Sequence, residues 1–278
     1  MASDLGFMRH VRGCDTAELP GERVPFRLAG AQVGWVLPAL AKVLSGFPAI
    51  QWTAEGIDLT DPVALPGIAQ TLSERGFYRW RREAFDVRAS SGGPVLSQID
   101  RGAIPSFGIG ATGVHVNGLV RRNGALSLWV ARRAANKLLD PGKLDHIVAG
   151  GVPAGLSLME TVIKEAGEEA SIPPALAAAA RHVGDIRYAM ERPEGLRCDH
   201  LHCYDLELPA DFIPVAADGE VEAFELWPIE RAFETVRDTD AFKFNVNLVL
   251  IDLFIRLGLI VGDEAAALRA GLRSGETV

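Results

Sequence analysis

Short apolar-rich runs separated by helical patterns occupy the first third of the chain. They predict strands at Val24–Leu28, Ile50–Thr53 and Ala84–Arg88. Helical spacing predicts helices over Pro38–Leu44 and Leu65–Arg75, the first beginning with a proline, which is favoured at the first helical position. This order of elements predicts a small α+β unit.

The pattern becomes sharper after residue 110. The segments TGVHVNGLVRR (112–122) and ALSLWVARR (125–133) alternate apolar and polar residues and flank Asn123-Gly124, the favoured turn of a two-residue hairpin. A helix over 157–170 and a strand over Leu201–Leu206 follow. A mixed sheet between helices accounts for this order, so the predicted fold class is α+β.

The two patterns meet at a stretch containing glycine, serine and proline that ends near Ser106. It predicts an N-terminal α+β accessory domain over residues 1–106 and a second domain over residues 107–278. Within the second domain, residues 209–228 are predicted to form a loop, and a terminal helix is predicted to begin at about Asp240.

The most apolar stretch of the chain, Val246–Val261, is a candidate for burial or for a membrane. It is interrupted by Asp252 and Arg256, which are four residues apart and can pair on one helix face. A membrane-spanning helix needs about 20 predominantly apolar residues. The sequence therefore predicts a buried C-terminal helix and no membrane association.

Composition and charge exclude several classes of function. The 278 residues are 48% hydrophobic and 23% charged, as in a globular protein with a sizeable core. The net charge of −8 and the lack of a basic stripe argue against nucleic acid as a partner. The first 25 residues contain no apolar segment typical of a signal peptide, and three cysteines do not make a disulfide framework. These features predict a cytoplasmic protein, with a homodimer as the candidate assembly.

Three carboxylates, Glu165, Glu168 and Glu169, crowd the C-terminal end of one predicted helix. The negative end of the helix dipole makes each of the last two unfavourable by about 0.3–1 kcal/mol, and all three fall on one arc of about 100°. A hard divalent cation resolves the conflict, because Mg²⁺ or Mn²⁺ accepts clustered carboxylate oxygens. A solvated acidic face is the alternative. Gly150 and Gly151 favour the metal, since glycines let the backbone approach an ion or a diphosphate.

The stretch Gly150–Ile172 resembles the Nudix box. It follows Gly-x5-x-x7-Lys-Glu-Ala-x-Glu-Glu-x-Ser-Ile, whereas the usual box is Gly-x5-Glu-x7-Arg-Glu-U-x-Glu-Glu-x-Gly-U, with U aliphatic. The resemblance implies that Glu165, Glu168 and Glu169 are metal ligands, that the carbonyl of Ala149 also ligates metal, and that the sheet is of the Nudix type, sandwiched between helices.

Three positions depart from the box: Leu156 replaces the first Glu, Lys164 replaces Arg, and Ser171 replaces Gly. Glu160 lies four residues before Lys164 and can pair with it. It can instead complete a capping box with Ser157, and both roles stay open.

A wider set of motifs resembles the Nudix proteins of plants, fungi and bacteria that carry an extra N-terminal domain, related to the Nudix half of thiamine pyrophosphokinase fusions in yeasts. The motifs are FYRWRREAFDV, FGIGATGVHVNG, PGKLDHIVAGG, KEAGEEA, YDLELPADFIP and DGEVEAFEL. The resemblance implies a Mg²⁺- or Mn²⁺-dependent diphosphatase that converts a small-molecule diphosphate to a monophosphate, above all thiamine diphosphate analogues such as oxidised forms. ADP-ribose, a dinucleotide or a nucleoside diphosphate sugar is the alternative substrate, and a non-catalytic metal-nucleotide sensor is the alternative outside enzymes.

Further charged residues are candidates for the reaction. Glu220, in DGEVE, is the candidate general base, because Nudix enzymes often take a base from this late loop; a solvated acidic turn is the alternative. Arg132, Arg133 and Lys137 belong to a basic concentration that either binds phosphate or forms ordinary hairpin surface. Lys243, at the start of the last helix, is a further candidate substrate ligand.

The segment CDHLHC suggests a zinc site. His200 and His202 share one face of a strand, but Cys198 and Cys203 fall on opposite faces. No second ligand pair follows at zinc-finger spacing. Residues that line a pocket, or ordinary strand residues, are therefore the favoured interpretation.

Overall fold

The computed structural model describes residues 6–137, 139–217 and 219–273. The elements up to Phe107 are, in chain order, α1 (Met8–Cys14), β1 (Val24–Leu28), β2 (Ala31–Val36), α2 (Pro38–Leu44), β3 (Ile50–Thr53), β4 (Gly56–Leu59), α3 (Leu65–Glu74), β5 (Ala84–Val87), β6 (Ser97–Asp100) and α4 (Ile104–Phe107).

A four-stranded sheet with the order β2-β1-β4-β3 forms the centre of this N-terminal part. Strands β1 and β4 are parallel, and the other neighbours are antiparallel. Helices α2 and α3 bury Leu44 and Leu72 in the same apolar cluster as Phe26 of the sheet. Strands β5 and β6 form a separate antiparallel pair. The predicted α+β character is confirmed.

The later elements are β7 (Gly110–Arg122), β8 (Ala125–Arg133), β9 (Leu144–Asp145), β10 (Val148–Gly151), α5 (Leu158–Ala170), α6 (Pro174–Ala177), β11 (Arg181–Arg192), β12 (Gly195–Glu207), β13 (Val221–Pro228), α7 (Ile229–Asp238), α8 (Phe244–Arg256) and α9 (Gly262–Gly271).

The second sheet has the order β11-β12-β7-β8-β13, with β10 pairing β7 and β9 pairing β8. Only β12 and β7 run parallel among its described pairs, so the sheet is mixed. One face packs Val114 and Val116 of β7 against Val162 and Ala166 of α5. The other face packs against α7, α8 and α9. The predicted mixed sheet between helices is confirmed.

Helix α1 packs onto the second sheet's helices although it lies at the start of the chain. Phe7, Val11 and Cys14 belong to the same buried cluster as Phe254 of α8. The N-terminal segment therefore crosses the predicted division of the chain, and the boundary near residue 106 stays a prediction.

The predicted loop over residues 209–228 is wrong in its second half, where β13 pairs with β8 along Val221–Pro228. This strand is at the edge of the sheet and most of its side chains are at least partly exposed, so the apolar alternation that marks a half-buried strand is weak. Strand β11 and helices α7 and α9 were not predicted. The helix predicted as terminal is α8, which begins at Phe244, close to the predicted start, but α9 follows it. Arg256 Nε pairs with Asp252 Oδ2 at 2.7 Å as predicted.

The helices in the described part of the chain are all too short or too polar to span a bilayer.

Candidate active site

A capping box fixes the start of α5. Ser157 Oγ accepts a hydrogen bond from the backbone N–H of Glu160 at 3.2 Å, and Glu160 Oε2 accepts one from the N–H of Ser157 at 2.8 Å. Glu160 therefore completes the capping box with Ser157, which is one of the two roles left open for it; the other was pairing with Lys164. Helix α5 begins where the glycine loop ends, and it packs against β10.

The three glutamates at the end of α5 occupy different environments. Glu169 is only 9% exposed, and its Oε2 accepts the backbone N–H of Ala149 at 2.9 Å. Glu165 is largely buried, while Glu168 is half exposed. Lys164 Nζ lies 2.9 Å from Glu165 Oε1 and 2.6 Å from Glu168 Oε2, so one ammonium offsets two carboxylates.

These contacts shift the pKa values of Glu165 and Lys164. Burial raises the pKa of Glu165, and the hydrogen bond from Lys164 only partly opposes that rise. For Lys164, burial works against the charged form, but the hydrogen bonds to Glu168 and Glu165 outweigh it and raise its pKa. Lys164 and a bound cation would compete for the same carboxylate oxygens.

Glu165 lies directly over Gly150, so a larger residue there would displace this carboxylate. A Cβ at residue 150 would lie 2.6 Å from both Cγ and Cδ of Glu165, which is closer than atoms of this kind can approach. The glycine of the loop thus makes room for a carboxylate of the helix.

The carbonyl of Ala149 points to the same edge of the sheet as Glu169. Ala149 lies opposite His115 in the register of β10 with β7, yet its N–H donates to Glu169 and so points away from β7. The N–H and C=O of one residue in an antiparallel pair point to the same side. Glu169 and the Ala149 carbonyl are thus oxygen donors at this edge, and Glu165 lies over the adjacent Gly150. Oxygen donors of this kind fit Mg²⁺ or Mn²⁺.

A small pocket adjoins Glu169 and brings together residues that are distant in sequence. It is lined by Arg133, Lys137, Asp145, His146, Glu169, Glu220 and Val221. Glu220 forms an ion pair with Lys137. Burial alone would raise the pKa of Glu220, but Lys137 outweighs it and lowers that pKa, so Glu220 is ionised at neutral pH.

Arg133 is held in this pocket by the backbone and by one carboxylate. Its Nη1 donates to Asp145 Oδ2 at 2.6 Å, and its Nε and Nη2 donate to the carbonyls of Asp140 and Leu139 at 3.1 and 2.8 Å. Burial alone would raise the pKa of Asp145, yet Lys243 and Arg133 lower it to about 2. The guanidinium keeps two N–H groups beyond these three for a ligand.

Two predicted phosphate ligands lie outside this pocket. Arg132 points to the opposite face of β8 from Arg133, because side chains alternate along a strand, and it donates to the carbonyl of Gly142 at 3.3 Å. Lys243 is buried behind the pocket, with its Nζ 4.0 Å from Asp145 Oδ2. Burial lowers its pKa, and Asp145 opposes that shift.

Asp145, His115 and His146 were not among the site residues predicted from the sequence. In the structure, Nδ1 of His115 and Nδ1 of His146 are 3.0 Å apart. Burial lowers the pKa of both imidazoles, that of His146 to about 4, so both are neutral at pH 7. The only local signal for this group is that Asp145 and His146 lie a few residues before Gly150 and Gly151. Arg133 and Lys243 already offset the charge of Asp145, which disfavours a cation among these three residues.

The family model of the NUDIX domain matches residues 111–246, and that of a domain of unknown function (DUF4743) matches residues 6–111. Nudix hydrolase 24, chloroplastic, of Arabidopsis thaliana is 38% identical over 273 residues, which cover 93% of this chain and 75% of that protein. Nudix hydrolase 20, chloroplastic, of the same plant is 36% identical over 288 residues, covering 96% and 77%. A solved NUDIX domain of Shewanella oneidensis NrtR complexed with ADP ribose is 15% identical, with a TM-score of 0.41, covering 55% of this chain and 91% of that chain.

The predicted cytoplasmic location is wrong in the light of these relatives, since both Arabidopsis proteins are named chloroplastic. The prediction depended on the lack of an apolar signal segment, which bears on secretion and does not distinguish compartments inside a cell.

Proposed function

This chain belongs to the Nudix hydrolase family and hydrolyses diphosphate bonds, and we propose that it does so with Mg²⁺ or Mn²⁺ held by Glu165, Glu168, Glu169 and the carbonyl of Ala149. One observation carries the proposal. Glu169, at the carboxylate end of α5, lines the same pocket as the ionised Glu220 and the cationic Arg133. Carboxylates for metal, a base and a phosphate-binding cation are the groups that diphosphate hydrolysis needs.

The bound cation would offset the negative charge of the diphosphate oxygens and lower the pKa of a water molecule. Arg133, fixed by Asp145 and two backbone carbonyls, holds one phosphate group with its remaining N–H groups. Gly150 lets Glu165 lie directly over the backbone of β10, beside the Ala149 carbonyl.

Glu220 is the proposed general base. Its lowered pKa keeps it as a carboxylate able to accept a proton from the attacking water at neutral pH. Lys137 orients this carboxylate through their ion pair. Lys164 acts on the other side of the site, where it holds Glu165 and Glu168 against each other's repulsion.

The proposed substrates are thiamine diphosphate analogues, in particular oxidised forms, which would leave as monophosphates. Support for this class comes from the ordered set of motifs that resembles the Nudix subfamily related to yeast thiamine pyrophosphokinase fusions. ADP-ribose, a dinucleotide or a nucleoside diphosphate sugar would use the same groups on the diphosphate and differ only beyond it.

The test is monophosphate release from thiamine diphosphate, its oxo and oxy analogues, ADP-ribose and NADH, each with Mg²⁺ or Mn²⁺. Turnover of the thiamine compounds alone is expected. Glu169→Gln should abolish it, since it removes a buried metal ligand. Glu220→Gln should lower kcat by about 10²–10⁴-fold, the usual contribution of a general base, with little change in KM.

Turnover of ADP-ribose in place of the thiamine compounds would contradict the substrate and leave the metal site intact. Full activity of Glu169→Gln, or activity of the wild-type protein after removal of divalent ions, would contradict the metal site itself. Arg132→Gln is the matched control for charge, because Arg132 lies on the opposite face of β8 from the pocket, and it should retain activity.

A further inference from the structure

Three histidines surround one carboxylate at the β11–β12 end of the second sheet. Asp185 Oδ1 lies 2.6 Å from His202 Nδ1 and 3.2 Å from His200 Nε2. His182 Nε2 lies 3.2 Å from the same oxygen. His182, Asp185 and His202 place their ligand atoms within 4.8 Å of one another.

A β-bulge in β11 brings His182 to this face of the sheet. In the pairing of β11 with β12, Asp185 lies opposite His202 and His182 lies opposite Tyr204, with a shift of register between His182 and Gly184. Residues 182 and 185 of a regular strand would point to opposite faces. The extra residue of the bulge turns them to the same face, and bulges that re-aim a side chain are common at functional sites.

The contacts of Asp185 exceed what one carboxylate oxygen can accept. An oxygen offers about two lone pairs, whereas three imidazole nitrogens approach Oδ1. A tetrahedral Zn²⁺ with bonds of about 2.0–2.2 Å separates its ligand atoms by about 3.3–3.5 Å. Of the three distances to Asp185 Oδ1, two, at 3.2 Å, are close to that spacing, and the third, at 2.6 Å, would have to lengthen.

A hydrogen bond from the N-terminal part orients His200. Its Nδ1 lies 3.2 Å from Ser91 Oγ, which leaves Nε2 directed at Asp185. Metal-binding histidines usually make such a hydrogen bond through the nitrogen that does not bind the metal. Ion entry is open, since the side chains of His182 and Asp185 are 44% and 45% exposed.

The donor types distinguish this cluster from the glutamates of α5. Imidazole nitrogens suit Zn²⁺ and its neighbours in the transition series, whereas Mg²⁺ and Mn²⁺ prefer oxygen. Cys198 and Cys203, which the segment CDHLHC also offers, are buried, and burial raises the pKa of both thiols. We propose that His182, Asp185 and His202, with His200 as the fourth ligand, bind one divalent transition-metal ion of the Zn²⁺ class.

The proposed ion lies on the same face of the sheet as α5. His202 is opposite Val114 of β7, and Val114 is opposite Gly150 of β10. Two strand spacings therefore separate the backbones of His202 and Gly150, about 10 Å. The two metal sites are neighbours with different preferences, and the zinc site does not depend on the function proposed for the glutamates.

The test is a titration of the full chain, first stripped of metal by a chelator, with Co²⁺ and then Zn²⁺ in the presence of millimolar Mg²⁺. We expect one Co²⁺ per chain, with the visible absorption bands of tetrahedral coordination, and displacement by Zn²⁺. His182→Gln, at an exposed position, should weaken binding by at least about 100-fold, and Ser91→Ala by about 10-fold or more. Circular dichroism checks that both variants are folded.

Glu168→Gln is the matched control, since it alters an exposed carboxylate of α5 and should leave the affinity for Zn²⁺ unchanged. The proposal is overturned if the wild-type chain takes up no Co²⁺ or Zn²⁺, or if His182→Gln binds as tightly as the wild type. Loss of the Zn²⁺ in Glu168→Gln would also overturn it, because the ion would then lie among the glutamates.

Discussion

Lys164 governs the charge balance at the end of α5. Its ammonium contacts both Glu165 and Glu168, and without it three carboxylates would repel one another at the negative end of a helix. Burial raises the pKa of Glu165, and Lys164 opposes that rise. The lysine thereby favours the ionised form of Glu165, which a cation requires, against the effect of burial.

We expect activity to fall in acid as Glu165 takes up a proton, at a higher pH than for an ordinary glutamate because its pKa is raised. Lys164→Gln removes an influence that lowers this pKa, so the acid limb of kcat/KM should move to higher pH. Lys164→Arg keeps the charge and should retain the wild-type limb. The measurement is a pH profile at Mg²⁺ concentrations below saturation, where the proton and the cation compete for Glu165, and an acid limb that is identical in Lys164→Gln would count against this role.

Helix α5 ends in a conformation that the Nudix box normally gives to glycine. Ser171 has φ of 53°, in the left-handed region, where a side chain is unfavourable by about 1–2 kcal/mol. Its Oγ donates to the carbonyl of Val215 at 3.0 Å, and the N–H of Val215 donates to Ala170 at 3.1 Å. The unfavourable backbone conformation of Ser171 is thus accompanied by a stabilising hydrogen bond to the loop that follows β12.

Replacing Ser171 separates these two effects. Ser171→Ala keeps the strain and loses the hydrogen bond, so the free energy of unfolding should fall by about 1 kcal/mol. Ser171→Gly loses the same bond but relieves the strain, and should stay within about 1 kcal/mol of wild type. Thermal unfolding of the three proteins ranks them. An alanine variant as stable as the wild type would show that the Val215 contact contributes nothing.

Across the whole molecule, the N-terminal part packs directly on the glycine loop of the site. A Cβ at Gly151 would lie 2.4 Å from Cζ of Phe85 in β5. The N–H of Ala154 donates to the carbonyl of Ala84 at 2.7 Å. Strand β5 therefore supports the backbone that carries Gly150, and changes in the N-terminal part are expected to reach the metal ligands.

Gly151→Ala tests this contact between the two parts. The added methyl should displace Phe85 and lower the free energy of unfolding by about 1–3 kcal/mol, the cost of overpacking a filled site. Gly167→Ala is the matched control, since nothing lies within 4 Å of a Cβ there. In mid-helix it should stabilise the protein by about 0.5–1 kcal/mol.

Thermal unfolding measures both variants. In Gly151→Ala/Phe85→Leu the smaller side chain should recover part of the loss. Equal stability of Gly151→Ala and wild type would mean that Phe85 is not held against the loop.

Features that depend on a few neighbouring residues were predicted from the sequence. The hairpin turn at Asn123-Gly124 has the positive φ values, 51° and 82°, that such a turn needs, and the Ser157–Glu160 capping box is formed. The α+β class and the acidic end of α5 follow from spacing of the same kind. Turns, caps and residue spacing of this kind depend on three or four neighbouring residues, so they can be recognised from the sequence alone.

Only the tertiary structure decided which distant residues meet. The pairing of β13 with β8 brings Glu220 to the same pocket as Glu169, and a bulge in β11 gathers His182 with Asp185 and His202. These arrangements depend on strand register, and a shift of one residue reverses which face each side chain occupies. Register is set by the packing of both sheet faces against helices from other parts of the chain. A local sequence pattern does not contain this long-range information. The sequence therefore determined the fold class, the hairpin turn and the acidic helix, and the tertiary structure determined the site around them.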